Sequence, residues 1–321
     1  MRVPGLNDLT LRQLQYVVAV ADDLGFRRAA ERCHVSQPAL SAQVRELEEA
    51  LGVALFERDP RGVLLTPAGE ELIPRARRVL TEAADLAAAA AQLGDPLAGT
   101  LRVGVIPTIA PYLLPEVAPT LHERFPRLRL LWREDKTESV VRGLAEGRLD
   151  AGLIALEEVQ LGDLAREVIA ADPFLLAAPE GHPLARRRRV HPDELAGAEV
   201  LLLDDGHCFR DQALAVCARA VAHEATFRAT SLATLAQVVA GGAGVTLLPA
   251  LAAPVENRRG RLVLRRFVDP APHRTIALVW RPRSPLADAL REVARALAAA
   301  WPGGKQPPAR PRAGARPRAA R

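Results

Sequence analysis

Two cysteines, Cys208 and Cys217, sit nine positions apart in a chain of 321 residues. They lie in the stretch LLLDDGHCFRDQALAVC, residues 201–217. The apolar run ending at Leu203 reads as a buried strand. Asp204, Asp205 and Gly206 read as the turn that stops it. From Phe209 onward the residues favour a helix, with Leu214 and Cys217 apolar. Cys208 therefore falls near a helix N-terminus, where backbone N–H groups and the dipole favour a thiolate. His207 and Arg210 flank it and add positive charge, while Asp204, Asp205 and Asp211 pull the other way. In a helix the two cysteine Cα atoms lie roughly 13 Å apart, at 1.5 Å rise per residue. A disulfide needs them within about 7 Å. The pair closes only if the helix start is dismantled, which would tie oxidation to a conformational change. The same residues also suit two inert buried thiols, the commoner fate of cysteine.

The first 66 residues predict a helical head. Thr10 caps a helix from Leu11 that Gly25 ends, with Leu14, Val17, Val18, Ala21 and Leu24 on one side. A short helix spans Arg27–Cys33, with Cys33 read as core. Ser36 then caps a third helix, Gln37–Leu51, whose Leu40, Val44, Leu47 and Leu51 form one stripe. Its opposite face carries Pro38, Ser41, Ala42 and Arg45, with Ser36 and Gln37 at the start. Short or forked polar groups at a helix N-terminus suit base edges in a DNA major groove. Residues 54–66 read as a β-ribbon with Arg58 and Arg61 at its tip, a wing for phosphate.

From Thr66-Pro67, residues Leu72, Ala76, Val79, Ala83, Leu86, Ala90 and Leu93 alternate spacings of four and three. That heptad seam predicts a long helix over 67–94 that pairs with a copy of itself. Pro74 removes one backbone hydrogen bond and predicts an early kink. Residues 94–99 read as a hinge. Beyond it, strands and helices alternate to about residue 301, predicting a mostly parallel sheet with covering helices, in two lobes with a cleft. One strand is expected to begin after Asp172-Pro173. Ser231 reads as an N-cap, and Gly241–Gly244 as a tight turn without phosphate-loop character.

The segment FRRAAERCHVSQPALSAQVRELEEALG, followed by LFER and LTPAG, is similar to the winged helix-turn-helix of LysR-type bacterial transcription regulators. The lobes resemble the effector domain of the same family, itself like periplasmic solute-binding proteins. DGHCFRDQ with Cys217 resembles the redox segment of the peroxide-sensing members. The resemblance implies an α/β chain of four parts. Residues 1–66 form an α-rich DNA-binding head and 67–94 a linker and dimerisation helix. Residues 95–301 form a two-lobed effector domain of doubly wound lobes, and 302–321 a disordered basic tail. It further implies a peroxidatic Cys208, a resolving Cys217, and a peroxide pocket of Thr108, Thr137, His207, Arg210 and Asp211. The implied partners are double-stranded promoter DNA at a two-fold-related site, hydrogen peroxide and RNA polymerase. The resemblance also implies a cellular thiol reductant that resets the switch, a dimer-of-dimers assembly, and an activator rather than an enzyme. It implies no cofactor and no metal. As alternatives, the same fold serves a regulator whose effector is a small anion in the cleft, or Cys208 starts turnover in a thiol peroxidase.

Composition narrows the field. At 49 % hydrophobic and 25 % charged, the chain is an ordinary globular protein. No run reaches the ~18 apolar residues of a membrane helix. The N-terminus lacks an apolar signal core, so a cytoplasmic protein is expected. Three cysteines argue against a disulfide framework. The net charge of +5 comes from the tail, where Lys305, Arg310, Arg312, Arg316, Arg318 and Arg321 stand without an acid. Removing those six leaves 37 basic against 38 acidic residues. DNA binding must therefore rest on a local pattern.

Overall fold

The computed structural model describes residues 9–59, 62–92, 97–157, 161–206, 208–218 and 223–302. They divide into two compact units. The first holds the N-terminal elements together with residues 142–150 and 284–286.

In the first unit, α1 (Leu11–Asp23) begins with a capping box between Thr10 and Gln13. It ends at Leu24 in the left-handed region rather than at Gly25, which instead precedes α2 (Phe26–Arg32). The buried face of α1 is Gln13, Tyr16, Val17, Ala19 and Val20. Of the expected stripe Val17 is buried, Leu14, Val18 and Ala21 pack partly buried against the same core, and Leu24 is exposed. The turn after α2 leads to α3 (Gln37–Leu51), capped by Ser36 and closed by Gly52, as its sequence predicts. Leu40, Val44 and Leu47 are buried against Phe26, Ala29 and Ala30. A hairpin of β1 (Phe56–Asp59) and β2 (Gly62–Leu65) follows. The Glu48 carboxylate accepts from the Leu55 and Phe56 N–H groups at 2.7 and 3.2 Å, fixing the hairpin to α3. At Gly69 a Cβ would meet the Leu55 carbonyl oxygen at 2.2 Å, so only glycine lets α4 (Pro67–Gln92) start here. The helix continues through Pro74. Residues 93–96, and with them Leu93 and the start of the expected hinge, lie outside the described residues.

In the second unit, β3 (Gly99–Val105) lies between β4 (Leu128–Glu134) and β5 (Ala151–Ala155), all parallel. Two helices, α5 (Ala110–Arg124) and α6 (Thr137–Ala145), connect them. The sheet is mixed rather than mostly parallel. β12 (His273–Trp280) joins β5 and β6 (Ala165–Pro179) by antiparallel pairing. β6 runs unbroken through Asp172-Pro173, where a new strand was expected to begin. Up to Pro173 it pairs with β12. Beyond it pairs with β10 (Thr246–Pro249) and β11 (Leu262–Phe267), so the missing N–H falls where one partner hands over to another. β7 (Arg189–Val190) flanks β11. Separately, β8 (Glu199–Leu203) pairs in parallel with β9 (His223–Ala229). Among the described residues the unit also contains α7 (Cys208–Ala218), α8 (Leu232–Ala240), capped by Ser231, and α9 (Ala253–Glu256). α10 (Ala287–Ala299) closes the described chain. No helix among the described residues is long and apolar enough to cross a membrane.

Candidate functional site

β8 is fully apolar from Val200 to Leu203, and Gly206 at φ +83° makes the turn that delivers Cys208 to the first position of α7. Cys208 is partly exposed, while Cys217 near the other end is buried. Nine steps of about 100° place the two thiols on opposite faces of the helix, roughly 13 Å apart along it. Burial pushes the Cys217 thiol up to about 11.

Three groups favour a thiolate at Cys208: the Thr137 hydroxyl, the Arg274 charge and the Phe209 backbone N–H. Burial outweighs them, with Asp211 adding to it, and the thiol lies above its ordinary value. Thr137 begins α6 and is buried, and apart from its weak interaction with the Cys208 sulfur its hydroxyl has no hydrogen-bond partner among the described residues. Arg274 is fully buried. Its Nη1 donates to the Thr108 hydroxyl at 2.8 Å and its Nη2 to the Thr108 carbonyl at 3.0 Å. Nε and Nη2 both donate to Asp172 Oδ2, at 3.0 and 2.9 Å. Asp172 Oδ1 in turn accepts from the Leu251 N–H at 3.0 Å. The positive charge that Cys208 feels is therefore delivered by a strand 66 residues further along the chain.

Arg210 engages the turn before the thiol. Its Nε bonds Asp205 Oδ1 at 2.9 Å and its Nη1 approaches the Leu203 carbonyl at 3.4 Å. The guanidinium thus braces the turn before Cys208. Asp205 also holds Arg228 at 2.9 Å, and its carbonyl accepts from Lys136 Nζ at 2.8 Å. Asp211 points to solvent on the first turn. His207 lies outside the described residues. Among the expected pocket residues, Thr137 is brought to the thiol. Thr108 reaches the site as the anchor of Arg274. No cluster of His, Cys, Asp and Glu among the described residues has the form of a metal site.

In the first unit, Ser36, Gln37, Pro38, Ala42 and Arg45 are exposed along one side of α3, and Ser41 is partly exposed. Ser36 also serves as the helix cap, its hydroxyl accepting from the Ala39 N–H at 3.4 Å. Arg58 lies on β1, although its side chain, like all of Arg61, falls outside the described residues. Cys33 ends α2, packs partly against the core, and has its thiol raised chiefly by burial.

Residues 11–70 match the family described as bacterial regulatory helix-turn-helix protein, lysR family. Residues 94–302 match the LysR substrate binding domain. The chain belongs to the LysR family. Within it, the chain is 48 % identical over 297 residues to the Escherichia coli DNA-binding transcriptional dual regulator OxyR, covering 92 % of this chain and 97 % of that one. A full-length OxyR from Pseudomonas aeruginosa, with a cysteine replaced by aspartate, superposes with a TM-score of 0.73 at 38 % identity. That match covers 90 % of this chain and 94 % of the other. A hydrogen peroxide-bound OxyR mutant from Corynebacterium glutamicum gives 0.63 at 36 % identity, covering 91 % and 92 %. Sequence reasoning about this LysR-family chain missed Arg274 and Asp172. Neither carries a local signal, since Arg274 is 166 residues from Thr108 and 102 from Asp172.

Proposed function

We propose that this LysR-family chain is a DNA-binding transcription regulator that senses hydrogen peroxide by closing Cys208 onto Cys217. The observation that carries this reading is the buried Thr137 hydroxyl, which interacts with the Cys208 sulfur and has no other partner among the described residues, beside the Arg274 charge. A small molecule with two oxygens, each donor and acceptor, satisfies that hydroxyl and lies against the sulfur. The hydrogen peroxide-bound OxyR relative supports the same ligand.

The chemistry runs in two balanced steps. The Cys208 thiolate attacks one peroxide oxygen, the O–O bond breaks, and hydroxide leaves to take up a proton as water. Cys208 becomes a sulfenic acid. Cys217 then attacks the Cys208 sulfur, the S–O bond breaks, and a second water departs with the Cys217 proton. Two thiols lose two electrons and peroxide is reduced to water. Cys208 and Cys217 start from opposite faces of α7, so the second step requires the helix to unwind. A thiol reductant reverses the reaction.

Residues 1–66 would read DNA through Ser36, Gln37, Pro38, Ser41, Ala42 and Arg45, with Arg58 and Arg61 on phosphate. Residues 67–94 would pair with a second copy, and 95–301 would carry the sensor. Val79 and Leu86, on the predicted seam of α4, are 47 % and 74 % exposed, which supports pairing of this helix. Two heads on one dimer suit a two-fold-related promoter site, where RNA polymerase contacts would change on oxidation. The head and α4 have no part in peroxide turnover, so we read the chain as a regulator and not a peroxidase.

The test is brief exposure to equimolar peroxide, alkylation, and mass spectrometry of the full chain. The expected product is a Cys208–Cys217 link with Cys33 free and a changed footprint on promoter DNA. A link through Cys33, or none, contradicts the reading.

A further inference from the structure

A second cavity lies against the middle of α7. Its volume is about 330 Å³, and its walls include Glu157, Phe174, Gln212, Val216, Pro272 and His273. Thr108, Thr137 and Cys208 do not line it. Gln212 is 4 % exposed, yet among the described residues neither its amide nitrogen nor its amide oxygen has a hydrogen-bond partner. Glu157 Oε1 accepts from the Thr275 N–H at 2.7 Å, but Oε2 is buried and has no partner among the described residues. Buried polar atoms are nearly always satisfied, so three orphans carried by two of the cavity's wall residues point to a missing partner.

The orphans specify its chemistry. Glu157 Oε2 and Gln212 Oε1 require donors, and Gln212 Nε2 requires an acceptor. Glu157 brings negative charge. His273 is exposed, with Nδ1 3.2 Å from the Ala271 carbonyl, and Arg274 uses its donors on Thr108 and Asp172. The remaining walls are apolar. The volume suits a molecule of roughly ten heavy atoms, taking about 30 Å³ for each water-sized group.

We propose that this cavity binds a small organic ammonium that also carries a hydroxyl group, and that its occupation holds α7 helical. The ammonium bridges Gln212 to Glu157, tying α7 to the loop after β5. Gln212 lies one turn beyond Cys208, and Val216 immediately precedes Cys217. Phe174 extends the link, meeting Phe209 edge-on at 5.6 Å. A ligand that binds the helical form alone suppresses its opening by the factor 1 + [L]/Kd. The effect on the cysteines, but not the binding itself, rests on the sensor reading above.

The probe is 2-amino-1-phenylethanol, with mandelate as the anionic comparator, titrated calorimetrically into the reduced full-length chain. Saturable one-to-one binding of the amine is expected, with none of mandelate. Glu157→Gln and Gln212→Leu should each weaken it at least tenfold. At ten times its Kd, the amine should slow Cys208–Cys217 closure about tenfold in rapid-quench experiments. Absence of saturable amine binding, equal binding of mandelate, or undiminished affinity in Glu157→Gln overturns the site. Binding without slower closure overturns the coupling to α7. If no Cys208–Cys217 link forms even without ligand, the sensor reading fails while calorimetry still decides the site.

Discussion

Arg274 clasps Thr108 at two points, 2.8 Å to the hydroxyl oxygen and 3.0 Å to the carbonyl oxygen, from a fully buried position. Asp172 holds the other edge of the guanidinium. The clasp joins β12, β6 and the turn after β3, and it holds in place a buried cation that acts on Cys208. Arg274→Met leaves Asp172 buried and unpaired, which costs about 3–5 kcal/mol. Urea unfolding should show that loss, and Arg274→Lys, which keeps a charge but cannot fork, should recover only part of it. A loss below about 1 kcal/mol in Arg274→Met would contradict this account of the pair.

Thr137 makes the opposite kind of prediction. Among the described residues its buried hydroxyl meets only the Cys208 sulfur, so Thr137→Val removes a poorly satisfied group of nearly the same shape. Thermal melting should change little or rise. The rate of Cys208 oxidation by peroxide should fall at least tenfold. A destabilised variant with an unchanged rate would make Thr137 a packing residue only.

The two thiols set distinct pH dependences. Cys217 is raised from 9.0 to about 11 in the fold. Between those values the unfolded chain loses its proton first, so stability is intact below pH 9 and falls as pH climbs to 11. The loss attributable to Cys217 is about 2–3 kcal/mol. It should vanish from the pH profile of Cys217→Ala when the two proteins are compared by chemical denaturation. Cys208 is also raised above 9.0, so its reaction with peroxide should accelerate about tenfold per pH unit through neutrality. A rate that is flat from pH 6 to 8 would mean that its thiolate is already formed.

Asp205 joins Arg210 and Arg228, and its carbonyl receives Lys136. This network holds the turn from which α7 starts. Asp205→Ala should leave sulfenic acid formation unchanged while speeding the later closure step several-fold, read by rapid-quench mass spectrometry. Slower closure would show that the network aids opening rather than resisting it.

Val79 and Leu86 expose apolar surface on α4. Replacing both with Asp should shift sedimentation toward the monomer and abolish binding to a two-fold-related DNA site. Peroxide oxidation of Cys208 should persist. An unchanged oligomer would place the self-association elsewhere.

Much of this was legible wherever local signals coincide. α3 follows its sequence to the residue, because the Ser36 cap, the apolar stripe and Gly52 all fall in register. α7 begins one residue from expectation because Gly206 fixes the turn. The face of α1 was legible only in part, since Val17 is buried and Leu14, Val18 and Ala21 pack against the core while Leu24 is exposed. Gln13 turns inward because its amide is already engaged with Thr10, and Tyr16 does so because its hydroxyl accepts from Arg12 Nε at 2.8 Å. β11 was overlooked because Arg265 and Arg266 interrupt its apolar pattern. Arg265 still finds the Ala185 carbonyl at 3.0 Å. Arg274 and Gln212 gain meaning only from distant neighbours, which one-dimensional spacing does not display.

The central claim is that α7 must come apart for Cys208 to reach Cys217. Hydrogen–deuterium exchange over residues 209–217, before and after peroxide, tests it most directly. Strong protection in the reduced chain should fall by at least a hundredfold once the link forms, while the β3 and β12 amides stay protected. A linked protein in which those helical amides exchange as slowly as before would contradict the account.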